Sequence, residues 1–483
     1  MAESNDQTAD KWTSPRLIVE HAYRLYGRSI NDSVDTFTGS TTNIGTNSKA
    51  AFGTTLETVY FGIRPGNSPL PDFPKAQLEL KSTPLKWQRE DLVAKERLVL
   101  NKIDFVTEAT ATFTTSSFFK KCRRILIVGY IHDSNRDVLE LEIASVVLFV
   151  LDLLPEEDRK LILEDWEIIH SKIAQGKAHE ISEGDTRLLA ACTKSALGSD
   201  RTKQLIGPPA KPRAYSFKQS YLNILLATGM SSMVRERQPI PYGCGPGYEL
   251  PEKADDWPNS FLPLGKMTTF EEEITSLFEQ YANRPVQGLY EQFGVNGTAK
   301  HANYNLVMSI LGRGSRTSQL LDASNIQIKT VQLKSNGTPK ESMSFPVFSF
   351  SRIQNESWDD IDIDDNHFRN HISKRFLFVV FQFNSDCQGG DHRVFKRVKF
   401  WNMPFDDIEI VKQGWERTKE AVVVSDPNLF PKLRDRQIMH VRPKGKDGND
   451  TDMLPDGSRI TKRCFWLNAD YIAKILDDYP TGL

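Results

Sequence analysis

The feature that most constrains the fold of this chain is a set of residue spacings that occurs twice. Pro155 precedes Trp166 by eleven residues, and Pro404 precedes Trp415 by the same eleven. A second pattern consists of a lysine, an arginine nineteen residues later and an aromatic residue eight residues after the arginine. It occurs first at Lys194, Arg213 and Tyr221. It occurs again at Lys444, Arg463 and Tyr471. Matched long spacings indicate an internal duplication. The 483 residues have room for two copies of one domain of about 200 residues.

The duplication predicts domain boundaries and matching elements. Residues 1–235 and 268–483 form the two predicted domains, and residues 236–267 are rich in proline and glycine, as expected of a semi-rigid linker. Apolar runs at 124–130 and 376–383 predict one buried strand in each copy. Further strands are predicted over 76–81 and 326–331, and helices over 17–26, 160–174, 270–293 and 407–419.

Two carboxylates and a lysine lie close together in the first copy, at Asp72, Glu79 and Lys81. Side chains alternate between the faces of a strand, so Glu79 and Lys81 point to one side while Leu78 and Leu80 enter the core. Asp72 precedes the strand and can turn back to join Glu79 around one hard cation, for which Mg²⁺ is suited. The pattern predicts a metal-dependent phosphodiester hydrolase, in which Lys81 orients water or offsets charge. A solvated strand face with an ion pair is the alternative interpretation.

Further segments of the sequence indicate which family of hydrolases this pattern belongs to. They are residues 45–49, 52–57, 78–84, 116–126, 155–159, 163–166 and 213–218. Together they resemble the MutH family of DNA endonucleases, which includes a mismatch-repair nicking enzyme and two-domain type II restriction endonucleases that cleave GATC. The resemblance covers nearly the whole chain, and it implies a mixed α/β fold with two tandem restriction-endonuclease-like domains, the second a degenerate duplicate.

The resemblance also implies roles for individual residues. Asp72 and Glu79 would bind Mg²⁺, Lys81 would be the catalytic lysine, Glu57 an additional acid and Lys121 a second active-site lysine. The residues implied to contact double-stranded DNA are Lys194, Arg213, Ser216 and Lys218 in the first domain and Arg442, Lys444 and Arg463 in the second.

The second copy differs from the first where the chemistry would occur. Gln327 stands in the place of Glu79, and Leu320 in the place of Asp72, with Asp322 two residues nearer to Gln327. A neutral amide and a leucine cannot hold Mg²⁺ as two carboxylates do. The second domain is therefore predicted to bind DNA, or to regulate the first domain, without cutting.

Composition constrains the location of a DNA-binding surface. The net charge is −2 and the pI is near 6.5, so the chain lacks the overall basic charge of many DNA-binding domains. The stretch from Lys194 to Lys218 is locally basic, with Asp200 as its only acidic residue. Gly207 and two prolines mark part of it as a loop, so we expect it to meet phosphates. A solvated basic loop is the alternative.

Cellular context follows from the cysteines and the amino terminus. Five cysteines show no Cys-x-x-Cys pair, and the first ten residues are polar and acidic. The longest apolar run, residues 143–154, is too short to span a bilayer. These observations predict a cytoplasmic protein with no structural zinc and no membrane partner.

The sequence therefore predicts a magnesium-dependent type II restriction endonuclease acting on double-stranded DNA, with GATC as the expected site. A cognate DNA methyltransferase would be its functional, not physical, partner, and the chain could dimerise or loop DNA between two sites. Two alternatives stay open: a mismatch-repair-type nicking endonuclease, and a non-catalytic sequence-specific DNA-binding protein.

Overall fold

The computed structural model describes residues 11–33, 51–63, 66, 68–88, 91–194, 199–236, 241, 244, 247–258, 269–324, 326–358, 367–384, 392–435 and 437–476. The motif at 45–49 lies outside these residues. Internal contacts divide the chain into two compact units, Met1–Ile181 with Thr186–Met267, and Ser182–Asp185 with Thr268–Leu483.

The first unit is a mixed α/β fold with two sheets. Its strands are β1 (Glu79–Gln88), β2 (Asp91–Ala94), β3 (Leu98–Lys102), β4 (Arg124–Ile131), β5 (Ile143–Val150), β6 (Leu189–Thr193) and β7 (Arg213–Phe217). Its helices are α1 (Pro15–Tyr23), α2 (Ile30–Ser33), α3 (Ala51–Thr55), α4 (Phe105–Glu108), α5 (Ser117–Cys122), α6 (Glu156–Ala174) and α7 (Gln219–Glu236). One sheet has the order β2-β1-β4-β5 and the other β3-β7-β6.

Strand β4 is the centre of the larger sheet. It pairs in parallel with β1 and antiparallel with β5, and its first seven residues are buried. A strand covered on both faces is apolar throughout, which is why this run was recognisable in the sequence. Glu79 lies opposite Ile125 of β4. The first residue of β1 is therefore placed in the protein interior.

The approach to β1 differs from the predicted strand over 76–81. Residues Pro74–Ala76 form a 3₁₀ turn, and Gln77 is left-handed with φ 53°. Proline fixes its own φ and favours the first turn of a helix, so the chain reverses here before the strand begins at Glu79. Phe73 pairs with Leu78 across this reversal. The turn brings Asp72 back beside β1.

The segment predicted as a linker is partly built into the first unit. Trp257 is buried, and its indole donates to the Ala76 carbonyl at 3.1 Å. The Arg124 guanidinium lies 5.3 Å from the centroid of the Trp257 ring. The described residues 247–258 are thus a packed part of this unit and not a free connection, because a buried aromatic anchors them.

The second unit is also mixed α/β, with sheets ordered β11-β10-β8, β12-β15-β9 and β13-β14. Its strands are β8 (Gln327–Leu333), β9 (Met343–Phe348), β10 (Phe376–Phe383), β11 (Arg393–Trp401), β12 (Met439–Pro443), β13 (Thr451–Met453), β14 (Arg459–Thr461) and β15 (Arg463–Leu467). Its helices are α8 (Phe270–Glu279), α9 (Val286–Phe293), α10 (Ala302–Ile310), α11 (Arg316–Ala323), α12 (Phe350–Ile353), α13 (Phe368–Ile372), α14 (Phe405–Val423) and α15 (Ala469–Leu476).

The single helix predicted over 270–293 is wrong, because two helices occupy that range. Asn283 is left-handed with φ 59°, and Pro285 caps the start of α9. Proline cannot donate the backbone hydrogen bond that a continuous helix requires. The break was not predicted because apolar residues continue at helical spacing on both sides of it.

One parallel strand pair in the second unit has a register similar to that of β1 and β4 in the first. Strand β8 is parallel to β10 and Gln327 lies opposite Phe376, the residue after Arg375. Glu79 lies opposite Ile125, the residue after Arg124. Helices α6 and α14 both have 19 residues, and each begins directly after a proline. Gln327 and Glu79 are thus each the first residue of a strand parallel to an apolar inner strand, although β8 is at the edge of its sheet and β1 is not.

The structure bears on two further expectations. Across the described ranges, no helix is long and apolar enough to cross a membrane. Cys122, Cys192, Cys244 and Cys464 form no disulfide within the described part of the chain, and the fifth cysteine, Cys387, lies outside it.

Candidate active site

Glu79 is the centre of the candidate site. Its carboxylate is completely buried, and one of its oxygens accepts a short hydrogen bond from the Lys81 ammonium group. The ammonium nitrogen of Lys121 lies 3.6 Å from the same oxygen. Alternation along β1 places Lys81 beside Glu79, as predicted, whereas Lys121 comes from α5. The face shared by Glu79 and Lys81 is not the solvated surface of the alternative interpretation, because Glu79 is inaccessible.

Asp72 and Glu79 are joined through the backbone. The amide of Asp72 donates to Glu79 at 3.1 Å, and the amide of Leu80 donates to Asp72 at 3.0 Å. Each carboxylate therefore accepts a hydrogen bond from the segment that carries the other. Such bonds fix ionised oxygens with little loss of entropy when a ligand binds.

Glu57 approaches the same site from the helical segment that follows α3. Residues Leu56–Tyr60 form a π-helical turn, a rare conformation that is frequent at functional sites. Glu57 is half-buried, and Asp72, Lys81 and Lys121 all act on its charge. The structure thus brings all five predicted active-site residues into one electrostatic cluster.

Burial dominates the electrostatics of this cluster. Burial, reinforced by Asp72, raises the pKa of Glu79 to about 7, although Lys81 and Lys121 act to lower it. Burial and Asp72 likewise raise the pKa of Glu57. Burial lowers the pKa of Lys81, but Glu79 and Asp72 outweigh it, so that this pKa is raised. Carboxylates that are desolvated and crowded accept a cation readily.

The donor set fits Mg²⁺. Asp72 and Glu79 offer carboxylate oxygens, although the described residues contain no group of three or more histidine, cysteine, aspartate or glutamate side chains placed to hold a metal ion. Mg²⁺ is characteristically held by one or two carboxylates together with water and substrate phosphate. Asp72 and the buried Glu79 supply two carboxylates of this kind beside two lysines.

Lys121 is positioned by a buried carboxylate that the sequence did not reveal. Glu108 accepts hydrogen bonds from the Ser117 hydroxyl at 2.9 Å, the Tyr215 hydroxyl at 2.9 Å and the Trp166 indole at 3.2 Å. Ser117 is the first residue of α5, so Glu108 ties the helix that carries Lys121 to α6 and β7. No local pattern marks Glu108, because its partners are distant in sequence.

Asp165 performs a similar role in the second sheet. It is fully buried and accepts hydrogen bonds from the backbone amides of Arg187, Leu188 and Leu189, at 2.8, 2.6 and 2.9 Å. These bonds fix the start of β6 against α6. The sequence drew attention to the motif at 163–166 but not to this function.

The DNA-contacting residues predicted in the first unit have different environments. Lys194 is exposed, whereas the Arg213 guanidinium donates to the carbonyls of Ala191 at 2.7 Å and Ile181 at 2.5 Å. Ser216 is buried, and the ammonium group of Lys218 donates to the Thr186 carbonyl. Of these four residues, Lys194 alone presents an exposed side chain.

The loop between β6 and β7 includes an ordered hairpin. Thr202 and Ala210 exchange two backbone hydrogen bonds, of 2.7 and 3.0 Å. Gly207 has φ 85°, and a Cβ there would lie 2.2 Å from the Gly176 carbonyl oxygen. Inside the hairpin, Gln204 accepts from the Ala178 amide at 2.9 Å. Arg201, which precedes the Thr202–Ala210 pair, is exposed, as are Lys203, Leu205 and Ile206 within the hairpin.

The residues predicted to contact DNA in the second unit are more accessible. Arg442 and Lys444 are exposed, and the Arg442 guanidinium lies 5.2 Å from the centroid of the Trp466 ring. Arg463 is partly buried, with its guanidinium 5.8 Å from the centroid of the Phe430 ring.

Comparison with known proteins identifies the family. Residues 61–165, which include β1, α5 and β4, match the family model described as DNA mismatch repair enzyme MutH. The chain is 32% identical to the type II restriction enzyme Sau3AI of Staphylococcus aureus over 479 residues, which cover 89% of this chain and 93% of that protein. The chain belongs to the MutH family of DNA endonucleases. The family assignment made from the sequence is therefore confirmed.

Other MutH-family relatives match a smaller part of the chain. It is 24% identical to the DNA mismatch repair protein MutH of Shewanella baltica over 168 residues, or 34% of this chain and 72% of that protein. The corresponding protein of Vibrio campbellii is 23% identical over 167 residues, or 34% of this chain and 70% of that protein. The likeness to the restriction enzyme thus extends over much more of this chain.

Proposed function

We propose that this MutH-family endonuclease is a magnesium-dependent type II restriction enzyme that hydrolyses double-stranded DNA at a short specific sequence, GATC. The single observation that carries the proposal is the contact of the buried Glu79 carboxylate with both Lys81 and Lys121. A non-catalytic DNA-binding protein has no need to keep a desolvated carboxylate between two lysines.

The chain's own groups supply most of the chemistry. Asp72 and Glu79 would hold Mg²⁺, which would polarise the scissile phosphate and acidify a water molecule. Lys81 would hold the attacking water, and Lys121 would stabilise negative charge on the phosphate, because both ammonium groups converge on Glu79. Glu57, whose pKa is raised by burial and by Asp72, is suited to accept a proton near this site.

Phosphate contacts in the first unit are assigned to the exposed basic residues of the β6–β7 loop. Lys194, Arg201 and Lys203 are exposed, and the last two flank Thr202, which pairs with Ala210 to close the hairpin. Such contacts position a protein on the duplex. The internal hydrogen bonds of Arg213 and Lys218 support a role in shaping this loop.

The second unit is proposed to be a degenerate duplicate that binds DNA without cutting it. Its support is the equal register of Gln327 and Glu79 in the two sheets, together with the loss of both carboxylates. The second unit also favours restriction over mismatch repair, because the MutH relatives match only 34% of this chain.

Plasmid digestion tests the proposal directly. The purified chain with Mg²⁺ should convert a plasmid to linear fragments whose sequenced ends all fall at GATC. Products that remain nicked circles would support the mismatch-repair type of activity. The absence of any strand cleavage with Mg²⁺ or Mn²⁺ would leave the non-catalytic alternative. Resistance of DNA from the host strain would indicate protection by a cognate methyltransferase.

A further inference from the structure

Three lysines converge in the second unit where the first unit has its candidate metal site. The ammonium nitrogen of Lys329 lies 5.4 Å from the centroid of the Phe345 ring. The Lys444 ammonium group donates to the Phe345 carbonyl at 2.8 Å and to the Ser344 hydroxyl at 2.9 Å. Lys374, which precedes β10, lies within electrostatic range of Lys329.

The register identifies this place as the counterpart of the active site. Lys329 lies opposite Phe378 of β10, two residues beyond Gln327, just as Lys81 lies opposite Ile127, two residues beyond Glu79. The lysine is therefore retained where the carboxylate beside it has become an amide. An amide carries no charge that would repel an anion.

Among the described residues, the charges that act on the pKa of Lys329 come from two other lysines. Burial lowers the pKa of Lys329 to about 8, and Lys444 and Lys374 lower it further. Asp322, which lies on α11, has its pKa raised by burial. In the first unit, by contrast, Glu79 accepts directly from Lys81. Like charges held together favour the binding of a counter-ion.

We propose that this lysine cluster, Lys329, Lys374 and Lys444, binds a backbone phosphate of duplex DNA, so that the second unit has exchanged a cation site for an anion site. The inference rests on the proposed function of the second unit as a DNA-binding duplicate. Lys444 is exposed, and Lys329 and Lys374 are partly exposed, so a phosphate can reach them. Ammonium groups suit a phosphate as point charges with several donors.

Chemical protection of the full chain tests the proposal. Lysines are acetylated with an acetylating reagent in EDTA, which prevents cleavage, and mass spectrometry measures the modification of each lysine. Three samples are compared: the free protein, the protein with inorganic phosphate, and the protein with a short GATC duplex. Acetylation of Lys329 and Lys444 should fall several-fold with either ligand. Lys412, which pairs with Glu416 on α14, serves as the internal control and should not change.

The outcomes separate the site from the function on which it rests. Protection by phosphate but not by DNA would show that the lysines form an anion site whose ligand is not DNA. The proposed DNA-binding function of this unit would then be wrong. Protection by DNA but not by phosphate would show that the duplex covers the lysines without using them as a phosphate site. Equal acetylation of Lys329 in all three samples would overturn the proposal.

Substitution of Lys329 provides a second measurement. In EDTA, Lys329→Met should lower the affinity for duplex DNA and reduce the slope of log K against log salt by about one, because one phosphate contact is lost. Lys329→Arg should restore the slope, and Lys412→Met should leave it unchanged. An unchanged slope in Lys329→Met would contradict the proposal.

Discussion

The ammonium nitrogen of Lys121 lies 3.6 Å from a carboxylate oxygen of Glu79, although the two residues belong to different elements. Lys121 also donates to the Ser68 carbonyl at 3.0 Å, in the segment that leads to Asp72. It therefore links α5 both to the Glu79 carboxylate and to the segment that leads to Asp72. Its neighbour Lys120 is exposed on the same helix.

This pair gives a matched test of the second lysine. Lys121→Ala should lower the single-turnover cleavage rate by roughly 10²-fold or more, the scale of losing one preorganised electrostatic group. Lys120→Ala removes the same charge from the exposed position and should cleave at nearly the wild-type rate. Equal cleavage rates for the two variants would show that Lys121 is only part of a basic surface. Lys81→Ala should behave like Lys121→Ala.

The two carboxylates should be essential for cleavage but not for binding. Glu79→Gln copies the amide found at Gln327, and Asp72→Asn removes the charge of the other proposed metal ligand without changing its shape. Each should abolish magnesium-dependent cleavage while duplex affinity, measured in Ca²⁺, stays close to wild type. Asp91→Asn, at an exposed carboxylate at the start of β2, is the control and should remain active. Cleavage by Glu79→Gln at the wild-type rate would refute the assignment.

Mg²⁺ should stabilise the protein more at pH 8 than at pH 6. The pKa of Glu79 is raised to about 7 from its ordinary 4.5, so the folded state binds more protons than the unfolded state between these values. Its contribution to the free energy of unfolding is therefore present at low pH and lost as the pH rises through about 7. A metal ion competes with that proton and offsets the buried charge above pH 7.

Thermal unfolding with and without Mg²⁺ at the two pH values measures this difference. Glu79→Gln has no proton to lose, so its response to Mg²⁺ should be small and independent of pH. A larger effect of Mg²⁺ at pH 6 than at pH 8 in the wild type would contradict the assigned pKa.

The glycine contact beneath the β6–β7 hairpin should be sensitive to one methyl group. Gly207→Ala would place a Cβ 2.2 Å from the Gly176 carbonyl oxygen, at a φ of 85°. We expect a loss of about 1–3 kcal/mol in the free energy of unfolding, measured in urea, together with weaker DNA binding. Gly62→Ala shares a positive φ of 67° but has no atom within 4 Å, so it measures the backbone cost alone. Equal losses in both variants would show that the hairpin contact contributes nothing.

The second unit should influence cleavage by the first. Arg442→Ala combined with Lys444→Ala should reduce cleavage of a plasmid with two sites more than cleavage of a plasmid with one. Lys412→Ala, which also removes a positive charge from this unit, is the control. Normal cleavage of both plasmids by the double variant would leave the second unit a structural support only.

Much of the fold could be predicted because buried strands have a local signature. The apolar runs of β4 and β10 identified one inner strand in each unit. The helix break at Asn283 and the reversal at Gln77 were missed, since apolar spacing says little about left-handed residues. Glu108 was missed because its acceptor role depends on residues brought together only by folding.

For the candidate site, the sequence identified which residues meet but not their surroundings. The spacing of Asp72, Glu79 and Lys81 predicted one cluster, and the structure adds that Glu79 is inaccessible. Burial is a property of the packed sheet, so the raised pKa of Glu79 could not be derived from spacing. The inward hydrogen bonds of Ser216 and Lys218 likewise depend on neighbouring strands.

Because Glu79 is completely buried, its proposed catalytic role depends on the larger sheet of the first unit staying closed. Glu79 is the first residue of β1 and lies opposite Ile125, in the strand pair that forms the interior of the first unit. Amide protons in such a pair exchange with solvent through large opening events, unlike those of frayed ends and exposed loops. Loss of activity on heating should therefore coincide with hydrogen exchange of the β4 amides. Activity would then measure whether the core of the first unit is intact.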